Sequence, residues 1–174
     1  HIGIHIDENI QLLNKRLNTD KNFDIIHRII TVGGKPTCMY FIDGFIKDEV
    51  MEKILEFFYS VTPEELPKDS HGFCKGFVPY VEVGLEGDIE KLMTSILSGQ
   101  LCLMIDGYEQ AILMDIRTYP TRGVEEPEQD KVLRGSRDGF VETLVFNTAL
   151  IRRRIRDPKL SMEIFSVGSA SKTD

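Results

Sequence analysis

The sequence has 174 residues, of which 41% are hydrophobic and 28% are charged, and its formal net charge is −7. This length favours a single domain of ordinary size, and the composition is typical of a globular protein. The negative charge argues against a general nucleic-acid-binding protein, since affinity for a phosphate backbone requires a positive surface, and no apolar run approaches the roughly 18–20 residues that span a bilayer.

An amphipathic helix and a β-hairpin are predicted at the start of the chain. Apolar residues recur at helical spacing over residues 6–18. Residues 23–32 and 37–42 are rich in β-branched and aromatic side chains, and Gly33-Gly34 between them is a hairpin signal. We therefore expect one helix followed by two antiparallel strands.

The next part of the chain alternates between helical and strand periods. Residues 47–60 predict a helix with Asp48 and Glu49 in its first turn, where carboxylates suit the helix dipole. Residues 62–79 hold three prolines and two glycines, which predicts a loop with a short helical turn. Further on, the same criteria predict a strand at 80–83, a helix at 88–98 capped by Gly99, and strands at 101–105 and 110–116 around the hairpin signal Asp106-Gly107.

This order of elements predicts the α/β fold class. We expect a mixed β-sheet with packed helices, followed by a linker, a long helix and a C-terminal strand. The chain divides into four predicted regions: an N-terminal helix at 1–22, a mixed α/β subdomain at 23–116, a linker at 117–138, and a connecting helix and strand at 139–174.

The long helix is predicted at 140–156, and four arginines crowd its last turn. Arg152 falls within the predicted apolar stripe of this helix, and Arg156 lies at the edge of the stripe. Arg153 and Arg154 point to two other sides, so the four charges repel one another unless another surface compensates them. A solvated basic helix end and an interface both remain possible, and the repulsion favours the interface. The stripe consists of Val141, Leu144, Val145, Thr148, Ile151 and Ile155.

A final strand is predicted at 160–167, without an evident partner in the remaining residues. This ending indicates that the chain continues in a larger protein. We therefore predict that the helix at 140–156 leaves the first sheet and forms an interface. Arg152 and Arg156 then need carboxylates or carbonyls, which we expect from a second subdomain or from a neighbouring subunit through domain swapping.

No recognisable site predicts catalysis, a metal or a cofactor. His71 and Cys74 are three residues apart in a glycine-rich loop, but a metal needs two further ligands placed by the fold. No nucleotide-binding loop is present in the sequence, and the three cysteines form no CxxC pair, which favours reduced thiols in the cytosol. A solvated acidic linker explains the carboxylates at 125–130 better than an acid–base pair or a cation site does: Glu125, Glu126, Glu128 and Asp130.

The most specific sequence lies in residues 115–160. One run reads RGSRDGFVETL from Arg134, and a second reads NTALIRRRIRDPKL from Asn147. Together with residues 115–120 and 122–127, these runs closely resemble the signature of the spore germinant-receptor A-subunit family. Residues 79–83 and the pattern over 115–157 are most similar to the branch of that family called stage V sporulation protein AF.

This resemblance implies a cytosolic N-terminal region made of two α/β subdomains with a cleft between them, followed by transmembrane helices. The present chain then covers the first subdomain and the connecting helix. The resemblance also implies the inner membrane of the dormant spore, with this domain on the cytosolic side, and membership of an oligomer that conducts ions during germination.

On this basis we expect an interaction and signalling module, with self-association and other germination membrane-protein subunits as partners and no nucleic acid. The alternative is a module that binds a nutrient or amino acid in the inter-subdomain cleft. The candidate interface or binding residues lie in the two runs that carry the resemblance: Arg134, Arg137, Glu142, Asn147, Arg152, Arg153, Arg154 and Arg156.

Overall fold

The computed structural model describes residues 1–75, 81–118, 140 and 143–167. Its centre is a five-stranded sheet in the order β1-β2-β4-β5-β3, and all four ladders between neighbouring strands are antiparallel. The elements are α1 (Ile6–Leu17), a 3₁₀ turn (Thr19–Lys21), β1 (Ile25–Val32), β2 (Lys35–Ile42), α2 (Asp48–Ser60), α3 (Ser70–Cys74), β3 (Val83–Glu86), α4 (Ile89–Leu97), β4 (Leu101–Ile105), β5 (Ala111–Met114) and α5 (Leu144–Arg154).

The sheet has an apolar layer on each face. Side chains alternate along each strand, so neighbouring residues of β1, β2 and β4 contribute to opposite layers. One layer packs against α1 and α4 and includes Tyr40, Cys102 and Leu92; the other packs against α2 and α3 and includes Phe58 and Met39. Helices on both faces bury the sheet and fix its position.

The turns explain why the strands pair in this register. Gly33 and Gly34 both have positive φ, 53° and 75°, which glycine adopts without strain and which suits a two-residue hairpin. The register then pairs Val32 with Lys35 and continues to Ile25 opposite Ile42.

The N-terminal segment is tied to the far hairpin. The backbone N–H of Ile6, at the start of α1, donates to Asp106 Oδ1 at 3.2 Å, so a residue 100 positions away accepts one of the free donors at this helix end. The N–H of Gly107 donates to the carbonyl oxygen of Ile4 at 2.8 Å. These bonds hold α1 over the sheet. None of the helices among the described residues combines the length and apolar character needed to cross a bilayer.

The predicted α/β fold class with packed helices is confirmed, whereas the sheet is antiparallel rather than mixed. The strand expected at 80–83 is instead formed by Val83–Glu86, because pairing with β5 sets its limits: Val83 lies opposite Met114 and Glu86 opposite Ala111. The boundaries of the four predicted regions stay a prediction.

The C-terminal elements differ more from the expectation. The helix predicted at 140–156 runs from Leu144 to Arg154, since Thr143 and Ile155 on either side have extended backbone. The strand predicted at 160–167 is wrong. Within this described segment, Met162 makes an isolated parallel bridge with Asn22, Val167 takes part in another bridge, and no residue belongs to a strand.

Candidate functional site

The helix α5 docks on the first subdomain through a narrow and partly polar face. Thr148, Ala149 and Arg152 are its buried residues, and Ala149 belongs to the apolar layer formed with α1 and α4. The prediction that this helix stays apart from the core of residues 23–116 is therefore wrong.

Arg152 is fully buried and is bound to a carboxylate of the same chain. Its side chain is 0% exposed, and the Asp24 side chain is 1% exposed. The Nε atom donates to Asp24 Oδ2 at 2.7 Å, and Nη2 donates to Asp24 Oδ1 at 3.0 Å. This two-pronged geometry is the strong form of an arginine–carboxylate pair. The expectation that a second subdomain or another subunit supplies this carboxylate is wrong.

The three remaining N–H groups of the guanidinium also find acceptors. Nη2 donates to Asn22 Oδ1 at 3.1 Å, and Nη1 donates to the carbonyl oxygens of Leu160 at 3.3 Å and Asp157 at 3.5 Å. A guanidinium has five donors, so every one of them is used. Because every donor of the guanidinium has an acceptor, the free-energy cost of burying its charge is offset.

Asn22 connects the same group to α1 and to the C-terminal segment. Its Nδ2 donates to the carbonyl oxygen of Leu17 at 2.9 Å, at the end of α1. Its Oδ1 accepts a second bond, from the N–H of Met162 at 2.9 Å. We call Asn22, Asp24 and Arg152 the Arg152 node, since these three buried side chains join α1, the start of β1, α5 and residues 157–162.

The first turn of α5 approaches the loop between β2 and α2 closely. Gly44 has a φ of +82°, and a Cβ added there would lie 2.8 Å from Val145 Cγ1. The neighbouring Asp43 donates its backbone N–H to the carbonyl oxygen of Asp24 at 2.8 Å, which links this loop to the node.

A cavity of about 810 Å³ opens between the start of α2 and the start of α5. Burial raises the pKa of the Asp43 carboxyl, and the nearby carboxylates of Asp48 and Asp24 raise it further, while a backbone hydrogen bond from Gly44 lowers it. The cavity walls are acidic, with one lysine: the lining residues include Asp43, Lys47, Asp48, Glu49, Thr118 and Thr143.

A second side of α5 is apolar and open to solvent. Leu144 is 39% exposed, Ile155 beyond the helix end is 47% exposed, and Ile151 is half-buried. At about 100° per residue these three residues form one line, roughly a quarter turn from Arg152. We call Leu144, Ile151 and Ile155 the α5 flank. These residues belong to the stripe that the sequence predicted to be buried, whereas Thr148 of the same stripe is buried as predicted.

The structure separates the candidate residues of the C-terminal runs. Arg152 is buried, as its place in the stripe predicted, whereas Arg153, Arg154 and Arg156 are exposed and Asn147 is half-buried. The remaining candidates lie outside the described residues: Arg134, Arg137 and Glu142.

Sequence reasoning missed Asn22 and Asp24. They lie 130 and 128 residues from Arg152, and nothing in their local pattern separates them from ordinary turn residues before a strand. A buried arginine does require a buried carboxylate partner, but the sequence alone offers 28 acidic residues.

The candidate metal residues do not form a site in the part of the chain that the structure describes. His71 is exposed and Cys74 is half-buried, and burial raises the pKa of the Cys74 thiol. No group of three or more His, Cys, Asp or Glu side chains suited to a metal occurs in those residues. The acidic run at 125–130 falls outside them.

Comparison with known proteins identifies relatives among sporulation and spore germination proteins. The sequence model of the family described as Bacillus/Clostridium GerA spore germination protein matches residues 11–174. Stage V sporulation protein AF of Bacillus subtilis is 33% identical over 168 residues, which are 96% of this chain and 34% of that protein. Spore germination protein B1 of the same organism is 29% identical over 98% of this chain and 35% of its own length. The chain thus spans about a third of these relatives.

The fold also has a solved counterpart. It resembles the crystal structure of the N-terminal domain of the A subunit of the Bacillus megaterium spore germinant receptor GerK3, with a TM-score of 0.72. The match covers 98% of this chain and 62% of that chain at 18% sequence identity. At this identity the likeness concerns the fold alone.

Proposed function

We propose that this chain, which belongs to the Bacillus/Clostridium GerA spore germination protein family, is an interaction and signalling module of an oligomeric, ion-conducting germination complex. The complex lies in the spore inner membrane, and this module lies on its cytosolic side. Other germination membrane-protein subunits and further copies of the chain are its partners.

The single observation that carries this proposal is the way α5 is attached. One side is held to the subdomain by the Arg152 node, and the adjacent side presents the α5 flank to solvent. Burying a leucine or isoleucine contributes about 1.5–3 kcal/mol, so an exposed apolar line beside a fixed anchor favours contact with another protein surface.

The attachment also suits signalling. The docked face of α5 buries one alanine and one threonine beside the arginine, so apolar burial contributes little to docking. The polar node fixes the position of the helix, because its donors and acceptors match only in one arrangement. A force on α5 or on residues 157–162 therefore reaches the ends of α1 and β1 through hydrogen bonds.

The test compares two matched pairs of substitutions in the full-length protein. Leu144→Ser with Ile155→Ser changes the α5 flank, where the two residues are 39% and 47% exposed. Leu12→Ser with Ile4→Ser changes residues of nearly the same exposure, 39% and 46%, elsewhere on the surface. We expect the α5 flank variant to fold, to lose co-purification with its partner subunits and to slow germination, while the control retains both. Equal behaviour of the two variants in both assays contradicts the proposal.

The cavity between α2 and α5 favours a second candidate, a module that binds a small molecule such as an amino acid. Its three carboxylates suit an ammonium group, and Lys47 suits a carboxylate. A thermal-shift series with amino acids and sugars tests it, since a ligand that binds the folded state raises the melting temperature with occupancy. A flat series rejects this candidate and leaves the first unaffected.

A further inference from the structure

We propose that the outer edge of β1 pairs with the same edge of a second copy of this chain, giving a continuous sheet through an antiparallel β1–β1 contact centred on Ile29. This surface is separate from the α5 flank, so either contact can fail without the other.

The outer edge of β1 is long, and no other strand of the described residues pairs with it. The strand has eight residues and lies at the end of the sheet, with β2 as its one neighbour among the described strands. It contains no proline, and its register with β2 runs without a bulge from Ile25 to Val32. Natural edge strands are usually protected by a proline, a bulge or charged side chains. β1 has neither a proline nor a bulge, and Arg28 is its exposed charge, so much of the edge is a template for another strand.

The backbone groups available for pairing follow from the register. The carbonyl oxygen of Asp24 accepts from the N–H of Asp43, so in an antiparallel ladder the even-numbered residues bond to β2. His27, Ile29 and Thr31 therefore point their N–H and C=O groups away from the sheet. Ile29 is 63% exposed, although isoleucine is an apolar residue, and His27 and Thr31 are also exposed.

A two-fold axis through Ile29 makes this edge complementary to itself. It places Ile29 opposite Ile29 of the second copy and His27 opposite Thr31, on the same face of the sheet. On the other face Arg28 lies opposite Ile30. A two-fold axis through Arg28 would instead bring two guanidinium groups face to face, which is unfavourable.

The segment around Met162, which meets this edge in the described part of the chain, lies outside the contact. Met162 occupies the outer side of the chain at residues 22 and 23, before β1 begins. In the register centred on Ile29, a second strand would lie opposite residues 25–33 and would not reach Met162. A closed two-fold contact of this kind is the commonest way in which identical chains associate.

Single cysteine variants test the register. In the proposed dimer the two Cα atoms of residue 29 lie about 5.5 Å apart, within the range of a disulfide. Residue 31 lies opposite residue 27 of the second copy, so the two copies of residue 31 are four residues apart along the ladder and too distant for a disulfide. In a Cys74→Ser background, we expect Ile29→Cys to form a covalent dimer under mild oxidation at least about tenfold faster than Thr31→Cys. A mixture of His27→Cys with Thr31→Cys should cross-link, although neither variant does so alone.

A fourth variant tests whether self-association depends on the exposed side chain at position 29. Ile29→Lys replaces an exposed side chain, so it should fold normally by circular dichroism. We expect analytical ultracentrifugation to find self-association in the parent protein and none in this variant. A parent protein that stays monomeric over the whole concentration series, or equal cross-linking of Ile29→Cys and Thr31→Cys, overturns the proposal.

Discussion

Asp24 and Arg152 lie 128 residues apart in the sequence and face each other through two hydrogen bonds of 2.7 and 3.0 Å in the interior of the protein. A buried pair of this kind contributes little net stability compared with an apolar pair of the same shape, because both charges lose their hydration. Removing one partner is costly, however, because the other is left charged and unpaired. This asymmetry governs what substitutions at the Arg152 node should do.

Arg152→Met should lower the free energy of unfolding by about 3–5 kcal/mol, because it leaves the Asp24 carboxylate buried without its partner. Urea denaturation followed by circular dichroism measures this change. Arg156→Met is the matched control, since Arg156 is exposed, and it should change the free energy by less than about 0.5 kcal/mol. A similar effect of both substitutions would show that burial of Arg152 has no energetic consequence.

Gly44→Ala should destabilise the protein by about 1–3 kcal/mol. Its φ of +82° strains any other residue, and the new Cβ would meet Val145 Cγ1 at 2.8 Å and push α5 away. Gly84→Ala is the control, because nothing lies within 4 Å of a Cβ added there. Thermal unfolding should show a lower melting temperature for the first variant only. An unchanged melting temperature for Gly44→Ala would contradict the close contact between Gly44 and α5.

Asp43→Asn should stabilise the protein at neutral pH. Burial raises the pKa of this carboxyl in the folded state above its ordinary value of 3.8, so the folded protein binds the proton more tightly than the unfolded chain. Stability is therefore lost as the pH rises from that value through the folded-state pKa. The melting temperature of Asp43→Asn should exceed that of the parent at pH 7, and the difference should shrink below pH 3.8. A constant difference over this range would contradict the assignment.

The three cysteines should differ in reactivity. Burial raises the pKa of Cys38 to about 12, with a hydrogen bond to Tyr40 opposing the shift, and burial also raises the pKa of Cys102. The thiolate is the reactive form, so both should resist alkylation in the folded protein. Mass spectrometry after iodoacetamide treatment should find one adduct, at the half-buried Cys74, and three adducts in urea. Modification of Cys38 in the native protein would contradict this burial.

Periodicity predicted the local elements well because the signals lie in neighbouring residues. The helix expected at 88–98 is Ile89–Leu97, and the strand expected at 101–105 is Leu101–Ile105. The predicted antiparallel pairing of this strand with the next is confirmed, with Leu101 opposite Met114. The predicted family is also confirmed, because its sequence model matches residues 11–174.

The placement of α5 could not be predicted in the same way. The predicted buried stripe included Thr148 and contained Arg152, which do dock, but it also included Leu144 and Ile155, which are exposed. A polar partner at Asp24 outweighs the apolar pattern, and a partner that distant leaves no trace in the local sequence. The strand predicted at 160–167 was wrong for a similar reason. Alternation of apolar and polar residues predicts an extended backbone, but it does not show which residues pair with another strand.

Native-state hydrogen exchange of the parent protein and of Asp24→Asn tests the attachment of α5 most directly. Regions that open separately exchange with a lower free energy than the global core. We expect the amides of residues 148–154 in α5 to exchange faster than those of β2 and β4 in the parent. In Asp24→Asn, α5 should lose its remaining protection while β2 and β4 stay protected. Equal protection of α5 and the two strands in the parent, falling together in the variant, would contradict an independently held helix.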